Sequence, residues 1–289
     1  MNLLSLFQIE LIKTSRRAAY WVAAGVFTLF AVLLLTVILR VTDGVNINNQ
    51  RVGLELPQSW SQMLGMFKQF STIYLPITVI ILAASEFTFK TARQNVIDGL
   101  SKEAFFTSKV ILVLYSALTY FFIFFITVLI FGYIGTEKKE NAEALIRASE
   151  WQLFGMYFIV LVGYGAIALF FAFVTRSSGS GLAFALLYTL IIENLLGLAM
   201  GLSDTLKSFV KYLPTKVLDE LLNPLRYDND KLTTLKENIE KAKEAGQTIP
   251  DQVMQMLPAN ETPQALVLAL LYIAALLGAT YLIFKRRDL

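Results

Sequence analysis

Val110-Ile-Leu-Val-Leu-Tyr-Ser-Ala-Leu-Thr-Tyr-Phe-Phe-Ile-Phe-Phe-Ile-Thr-Val-Leu-Ile-Phe-Gly-Tyr-Ile134 crosses the middle of the chain without one charged side chain. A helix of about 20 such residues spans the hydrocarbon core of a bilayer and satisfies its own backbone hydrogen bonds, which lipid cannot do for it. Outward from this stretch lie five more apolar runs, over residues 18–39, 70–84, 151–174, 182–202 and 265–284. The run 70–84 is the shortest, at about 15 residues, a length that also suits a buried helix of a soluble protein. Its place in a consistent alternation of loops makes it a span. The composition agrees, with 56% hydrophobic and 16% charged residues where a soluble domain carries about 25% charged. The expected fold class is all-α, a polytopic membrane protein with six transmembrane helices.

The loops give the expected orientation, because short segments rich in Lys and Arg stay in the cytoplasm. One set holds Lys13, Arg16, Arg17, Lys90, Arg93, Lys102, Lys109, Arg176, Lys285, Arg286 and Arg287, against the acids Glu10, Glu86, Asp98, Glu103 and Asp288. The alternate set is weakly acidic and about twice as long. The basic set is therefore expected inside, with both termini cytoplasmic. The net charge of +3 is then an orientation signal and not a nucleic-acid footprint. No cleavable signal peptide is expected, since the first apolar run is long enough to remain as an anchor.

The chain has no Cys and no His, which excludes disulfides, thiolate metal sites and His-dependent acid, base or zinc chemistry. No G-x-x-x-x-G-K-[ST] loop is present to cradle nucleotide phosphates. Neither a cofactor nor a metal is expected on this chain.

Residues 1–17 read as an amphipathic helix lying in the membrane interface, with Leu3, Leu4, Phe7 and Leu11 to one side and Lys13, Arg16 and Arg17 following. A plain extension of the first span is the alternative. Between the second and third runs stands Glu86-Phe-Thr-Phe-Lys-Thr-Ala-Arg-Gln-Asn-Val-Ile-Asp-Gly-Leu-Ser-Lys-Glu-Ala-Phe-Phe-Thr-Ser-Lys109. Gly99 suits the end of one helix, Ser101 the N-cap of the next, and Glu103 its first turn. Two short helices with a sharp bend are expected, presenting Asp98, Leu100 and Lys102 to the cytoplasm. A solvated basic loop that only sets topology is the alternative.

Glu86, Thr91, Arg93, Asp98-Gly-Leu-Ser-Lys102 and Lys109 resemble the cytoplasmic loop of the type-2 ABC exporter permeases. Tyr281-Leu-Ile-Phe-Lys-Arg-Arg-Asp288 is similar to that family's C-terminal ending, and Leu187-Tyr-Thr-Leu-Ile-Ile-Glu193 to the fifth span of its peptide-antibiotic immunity branch. Gly99, Lys102 and Lys90 depart from it, standing where the family often has Pro, Arg and Gly. The resemblance implies the permease subunit of an exporter in the bacterial cytoplasmic (inner) membrane. It also implies a separate ABC ATPase subunit that binds the ATP, and a second permease subunit, either an identical copy or a related chain. It places Asp98, Gly99, Leu100, Ser101 and Lys102 at the contact with the ATPase.

Glu193 is the one ionisable residue inside a run. A charge at the centre of a span costs about 2.5 to 3.5 kcal/mol on insertion scales, so it faces protein or water. It either lines the pathway or forms a polar packing cluster with Tyr188, Asn194 or a neighbouring span. Gly155, Gly163, Gly165, Gly197 and Gly201 suit close helix packing, with hinge or gate roles as the alternative, and residues 176–181 suit a flexible connector.

Residues 203–264 form the largest segment outside the membrane. Helices are expected over 205–212, 215–222, 231–245 and 250–256, with Leu218, Leu221, Leu222 and Leu225 as an apolar cluster. At about 60 residues the segment is marginal as a free-standing domain and is expected to cap the external exit or pack on a second subunit. Asn260-Glu-Thr262 matches a glycosylation sequon, and the loops 40–68 and 135–150 read as polar and featureless. The expected organisation is an interfacial helix over 1–17, five spans over 18–202 with a coupling loop at 86–109, an external segment over 203–264, and a sixth span with a basic tail over 265–289. Export of a hydrophobic or amphipathic substrate is the leading function. The second is a non-transporting partner that passes ATPase-driven motion to an external protein. An intramembrane enzyme is third, lacking a nucleophile or a carboxylate pair.

Overall fold

The computed structural model describes residues 3–42, 46–47, 50–51, 54, 56–57, 59–136, 145–203, 205–223, 229–244, 253, 257–258 and 262–287. The sequon residues Asn260 and Glu261, the cluster member Leu225, and most of the expected helix 250–256 lie outside them.

Among the described residues the protein is all-helical apart from a hairpin of two short antiparallel strands, β1 (Asn46–Ile47) and β2 (Gln50–Arg51). A first helix, α1 (Leu3–Ser15), precedes the first span, α2 (Ala18–Thr42). The second and third spans are α3 (Ser59–Thr88) and α5 (Lys102–Thr136), joined through the short α4 (Thr91–Ile97). The fourth span is α6 (Ala148–Thr175), and the fifth is α7 (Ser178–Leu187), a π-helical turn at Tyr188–Ile192, and α8 (Glu193–Gly201). A 3₁₀ turn (Lys207–Tyr212), α9 (Pro214–Glu220) and α10 (Asn229–Glu244) lead to the sixth span, α11 (Thr262–Arg286). Six of these segments are long and apolar enough to cross a membrane.

The centre of the bundle is α3 packed on α6, with α5, α7 and α11 also against α6. Small residues make that centre possible. A Cβ on Gly165 would meet Val113 of α5 at 2.5 Å, and one on Gly163 would meet Leu218 at 2.5 Å. Gly155 and Gly201 face open space instead, so the expectation of close packing there is corrected. Aromatic rings fill the middle: Phe27 stacks edge-on against Tyr120, and Phe124 against Tyr157 and Phe67. By contrast α2, α7, α8 and α11 turn rows of large apolar side chains outward, among them Trp21, Leu29, Leu33, Leu195, Leu198 and Leu271. Such a surface suits lipid, which needs no polar partner.

Three expectations change. The second span is not the shortest: α3 has 30 residues and begins inside the stretch 40–68 that read as a polar loop. Trp60, Met63, Leu64 and Phe67 repeat at helical spacing and are all buried. Polar neighbours such as Lys68 and Gln69 lower the hydropathy without breaking the helix, because this half of α3 packs on protein. Leu54 and Leu56 of the same stretch are buried too, and the Leu56 N–H donates to the Thr136 Oγ1 at 2.9 Å. The connector after the fourth span is only Arg176–Ser177, since Ser178 already opens α7. Of the two helices expected in 86–109, the second is the start of the 35-residue third span.

The inward face of α1 is partly polar. Leu6, Glu10 and Thr14 are buried, while Leu4, Phe7, Ile9 and Ile12 are exposed, and α1 rests against α5. A polar stripe is packed inward because it meets charges on the neighbouring helices.

Candidate functional site

The end of the bundle that carries α1 and α4 is built around a turn held in place by its own backbone chemistry. After Thr88 the chain reverses through Lys90, which adopts the left-handed conformation at φ 58°. That geometry costs a residue with a Cβ roughly 1 kcal/mol. The helix α4 then runs for seven residues and closes at Gly99, φ 98°. The Leu100 N–H reaches the Asn95 carbonyl at 3.0 Å and the Gly99 N–H the Val96 carbonyl at 3.1 Å, a Schellman closure that satisfies the last carbonyls of the helix. Two residues later the Ser101 Oγ accepts the Ala104 N–H at 3.1 Å and caps α5, with Glu103 in its first turn.

The structure brings together the sequence-derived contact residues Asp98, Gly99, Leu100, Ser101 and Lys102 at this turn, with different exposures. Asp98, Gly99 and Ser101 are exposed, and the Asp98 carboxylate accepts from Gln94 at 2.9 Å. Leu100 is half-buried against the core. Lys102 is half-buried as well, and its Nζ donates to the carbonyls of Lys285 and Arg287 at 3.3 and 3.1 Å, tying the turn to the end of α11. Phe89 and Ile97, 76% and 67% exposed, flank the turn. Hydropathy overlooks them, because isolated apolar residues in a basic loop do not stand out from the spans beside it.

Beneath the turn lies a buried ionic network. Lys109 Nζ pairs with Glu10 Oε1 at 2.7 Å and with Glu86 Oε1 at 2.8 Å, and the side chains of all three are 5% exposed or less. The same Glu86 oxygen takes Lys13 at 3.2 Å and Arg17 at 3.3 Å. Arg17 also donates to the Leu82 carbonyl and the Ser85 hydroxyl, each at 2.8 Å. Thr91 Oγ1 donates to the Glu86 carbonyl at 3.2 Å, which carries the network into α4. Charges out of water are stable only when they are paired and hydrogen-bonded, and here α1, α3 and α5 each supply part of the pairing. Next to it Phe87, Phe105, Phe173 and Phe284 pack together from four helices, with the Phe173 ring 5.1 Å from both Phe87 and Phe284. The Arg176 guanidinium lies 5.7 Å over the Phe87 ring. The turn therefore stands on a base packed from four spans, α3, α5, α6 and α11. In the sequence Glu10, Lys13, Arg17 and Lys109 read as topology signals, Lys109 also as part of the family resemblance, and only the fold joins them.

Glu193 sits toward the opposite end. It is 1% exposed, and its Oε1 accepts the Thr215 N–H in the first turn of α9 at 2.6 Å. Beside it Asn194 Oδ1 accepts from Lys216 at 3.1 Å. The π turn explains how Glu193 comes to face inward. Twelve residues beyond Gly181, a regular helix would have drifted about 120° around its axis, and the extra residue of a π turn takes back about 100°. Gly181, Ala185 and Glu193 thus share the buried face of the fifth span. The segment after it is part of the bundle: Val217, Leu218, Leu221 and Leu222 are buried in the core, Leu218 fills the notch at Gly163, and Asp219 receives Tyr164 at 3.1 Å and Lys68 at 3.0 Å. Glu193 is held as the acceptor for α9, and Thr215 is the partner that sequence spacing did not reveal.

Among the described residues no group of Asp and Glu side chains has the arrangement of a metal site. No curated protein matches the chain. A family model described as ABC-2 family transporter protein matches residues 6–192. The matched range begins in α1, contains the ionic network and the whole α4 turn, and ends at the π turn before Glu193. With more than half of its length matched and six helices able to cross a bilayer, the chain belongs to the ABC-2 transporter family, as a multi-pass membrane permease subunit of an ABC transporter.

Proposed function

We propose that the protein exports a hydrophobic or amphipathic substrate across the bacterial cytoplasmic membrane, driven by ATP hydrolysis on a separate ABC ATPase that docks on the α4 turn. The observation that carries this reading is the turn itself, a seven-residue helix closed by local hydrogen bonds and footed on a buried ionic network. A surface that receives a power stroke needs stiffness so that displacement is transmitted and not absorbed. Phe89 and Ile97 supply apolar contact, and Arg93, Asp98 and Ser101 supply polar contact. The basic loops support a cytoplasmic position for this end and for both termini. A second permease subunit completes the transport unit, and the exposed apolar rows of α2, α7, α8 and α11 are the candidate faces to meet it. In this reading the segment 203–264 caps the external exit.

The test is reconstitution with the cognate ATPase in proteoliposomes. Leu100→Asp combined with Lys102→Glu is expected to abolish stimulation of ATP hydrolysis and vectorial flux while membrane insertion is preserved. Wild-type coupling in that variant overturns the docking assignment, and ATP hydrolysis without flux of any amphiphile overturns export.

A further inference from the structure

Only one of the two Glu193 carboxylate oxygens has a hydrogen-bond partner among the described residues: Oε1 takes the Thr215 N–H, and Oε2 has none. Among the described residues no ion pair reaches Glu193 either, and three lysines of this end have other contacts. Lys216 donates to Asn194, Lys68 pairs with Asp219, and Lys211 lies 5.1 Å over the Tyr212 ring. A carboxylate shut away from water with one backbone donor, a tyrosine hydroxyl beside it and no cation is costly until a counter-charge meets it. Tyrosine side chains are the carboxylate's other neighbours. The Tyr188 hydroxyl is beside the carboxylate, Tyr164 is within its electrostatic reach, and Tyr272 lies close to Tyr188. Ring faces attract cations, and more strongly when water is excluded. Three residues before Thr215, Tyr212 lines an open cleft of about 460 Å³ together with Pro263, Gln264, Val267 and Leu268. The π turn that aims Glu193 inward is a feature found often at functional sites.

We propose that Glu193, with Tyr164 and Tyr188, binds an organic cation, a primary ammonium or guanidinium group on an apolar body, and that the cleft beside Tyr212 takes the body. The site deepens the export reading and rests on it: the cation belongs to the cargo or to an aminophospholipid headgroup, and the chemistry is the same for both. Entry requires α9 to lift, because Thr215 is its second residue, so binding and opening of this end are one event.

The test uses the full chain in phosphatidylcholine nanodiscs with dansylcadaverine, a fluorescent primary amine, and its N-acetylated form, which is neutral and otherwise alike. Fluorescence anisotropy is expected to show saturable binding of the amine at least about tenfold tighter than of the acetylated form, as a charge-assisted contact provides. Glu193→Gln keeps an acceptor for Thr215 and is expected to erase that preference. Tyr188→Leu removes the ring and is expected to lose about three- to tenfold, so it decides the matter if the Glu193 variant does not fold. Competition by phosphatidylethanolamine in the disc assigns the site to a lipid headgroup, and its absence assigns it to cargo. Equal binding of the two probes, or an unchanged preference in both Glu193→Gln and Tyr188→Leu, overturns the proposal. Docking of the ATPase is read separately, through the Leu100→Asp and Lys102→Glu pair, so failure here leaves the export reading standing and failure there leaves the cation site standing.

Discussion

Lys109→Met removes the hub of the ionic network without removing its bulk. The Lys109 ammonium is the only charged partner within ion-pair distance of Glu10 among the described residues, at 2.7 Å. Glu86 loses one cation at 2.8 Å and keeps Lys13 and Arg17 at 3.2 and 3.3 Å. Breaking a buried pair by deleting one partner costs about 3 to 5 kcal/mol, chiefly because the other charge is left unpaired. Glu86 retains two cations, so the lower end, about 3 kcal/mol, is expected here. For a chain of this size that is roughly 6 to 12 °C in midpoint, measured by thermal unfolding followed through Trp fluorescence in nanodiscs. Glu10→Gln deletes the opposite charge and leaves Lys109 paired with Glu86. Combining the two removes the stranded carboxylate, so the double variant is expected to be more stable than the sum of the single effects predicts, by about 1 to 3 kcal/mol. A midpoint for Lys109→Met within about 1 °C of wild type, or strictly additive effects in the cycle, would refute the view that this network holds α1 to the α4 base.

Lys90→Gly places the residue best suited to φ 58° at that position and is expected to raise the midpoint by about 2 to 4 °C; no gain would show that Lys90 makes compensating contacts. Gly99→Ala, at φ 98°, is expected to lower stability by about 1 kcal/mol and to weaken ATPase stimulation through the misplaced turn. Gly163→Val meets Leu218 at the notch, where an added Cβ already stands 2.5 Å from Leu218 Cδ2; it is expected to dislodge α9 and make residues 214–222 more sensitive to limited proteolysis, and an unchanged digestion pattern counts against the tight fit. The chain contains no Cys, so Ser101→Cys and Ser203→Cys each provide a single label site. A membrane-impermeant maleimide applied to intact cells is expected to modify the second and spare the first, and the reverse pattern would invert the topology.

Much of the fold was legible because it depends on sums over neighbouring residues. Residues 110–134 form a span whatever surrounds them, since no other backbone arrangement survives in lipid. The turn at Gly99 and Ser101 was equally local: left-handed backbone favours Gly, and a free N-terminal N–H favours Ser, within a few residues of chain. The first half of α3 was missed because Lys68 and its polar neighbours lower an average that assumes lipid on all sides. Trp60, Met63, Leu64 and Phe67 face protein instead, and their spacing was the better signal. Among the glycines, composition alone does not separate Gly163 and Gly165 from Gly155 and Gly201, because only the identity of the opposing helix does so.

The amino-acid sequence by itself determined that this is a six-span membrane protein, which of its faces is basic, and where the chain turns sharply between the second and third spans. Tertiary structure alone decided that Glu10, Glu86 and Lys109 share one buried site, and that Glu193 meets Thr215 across the π turn. Hydropathy and turn preference are carried by adjacent residues and survive in any fold. A buried charge takes its role from the group placed against it, and Lys109 stands 99 residues from Glu10 along the chain.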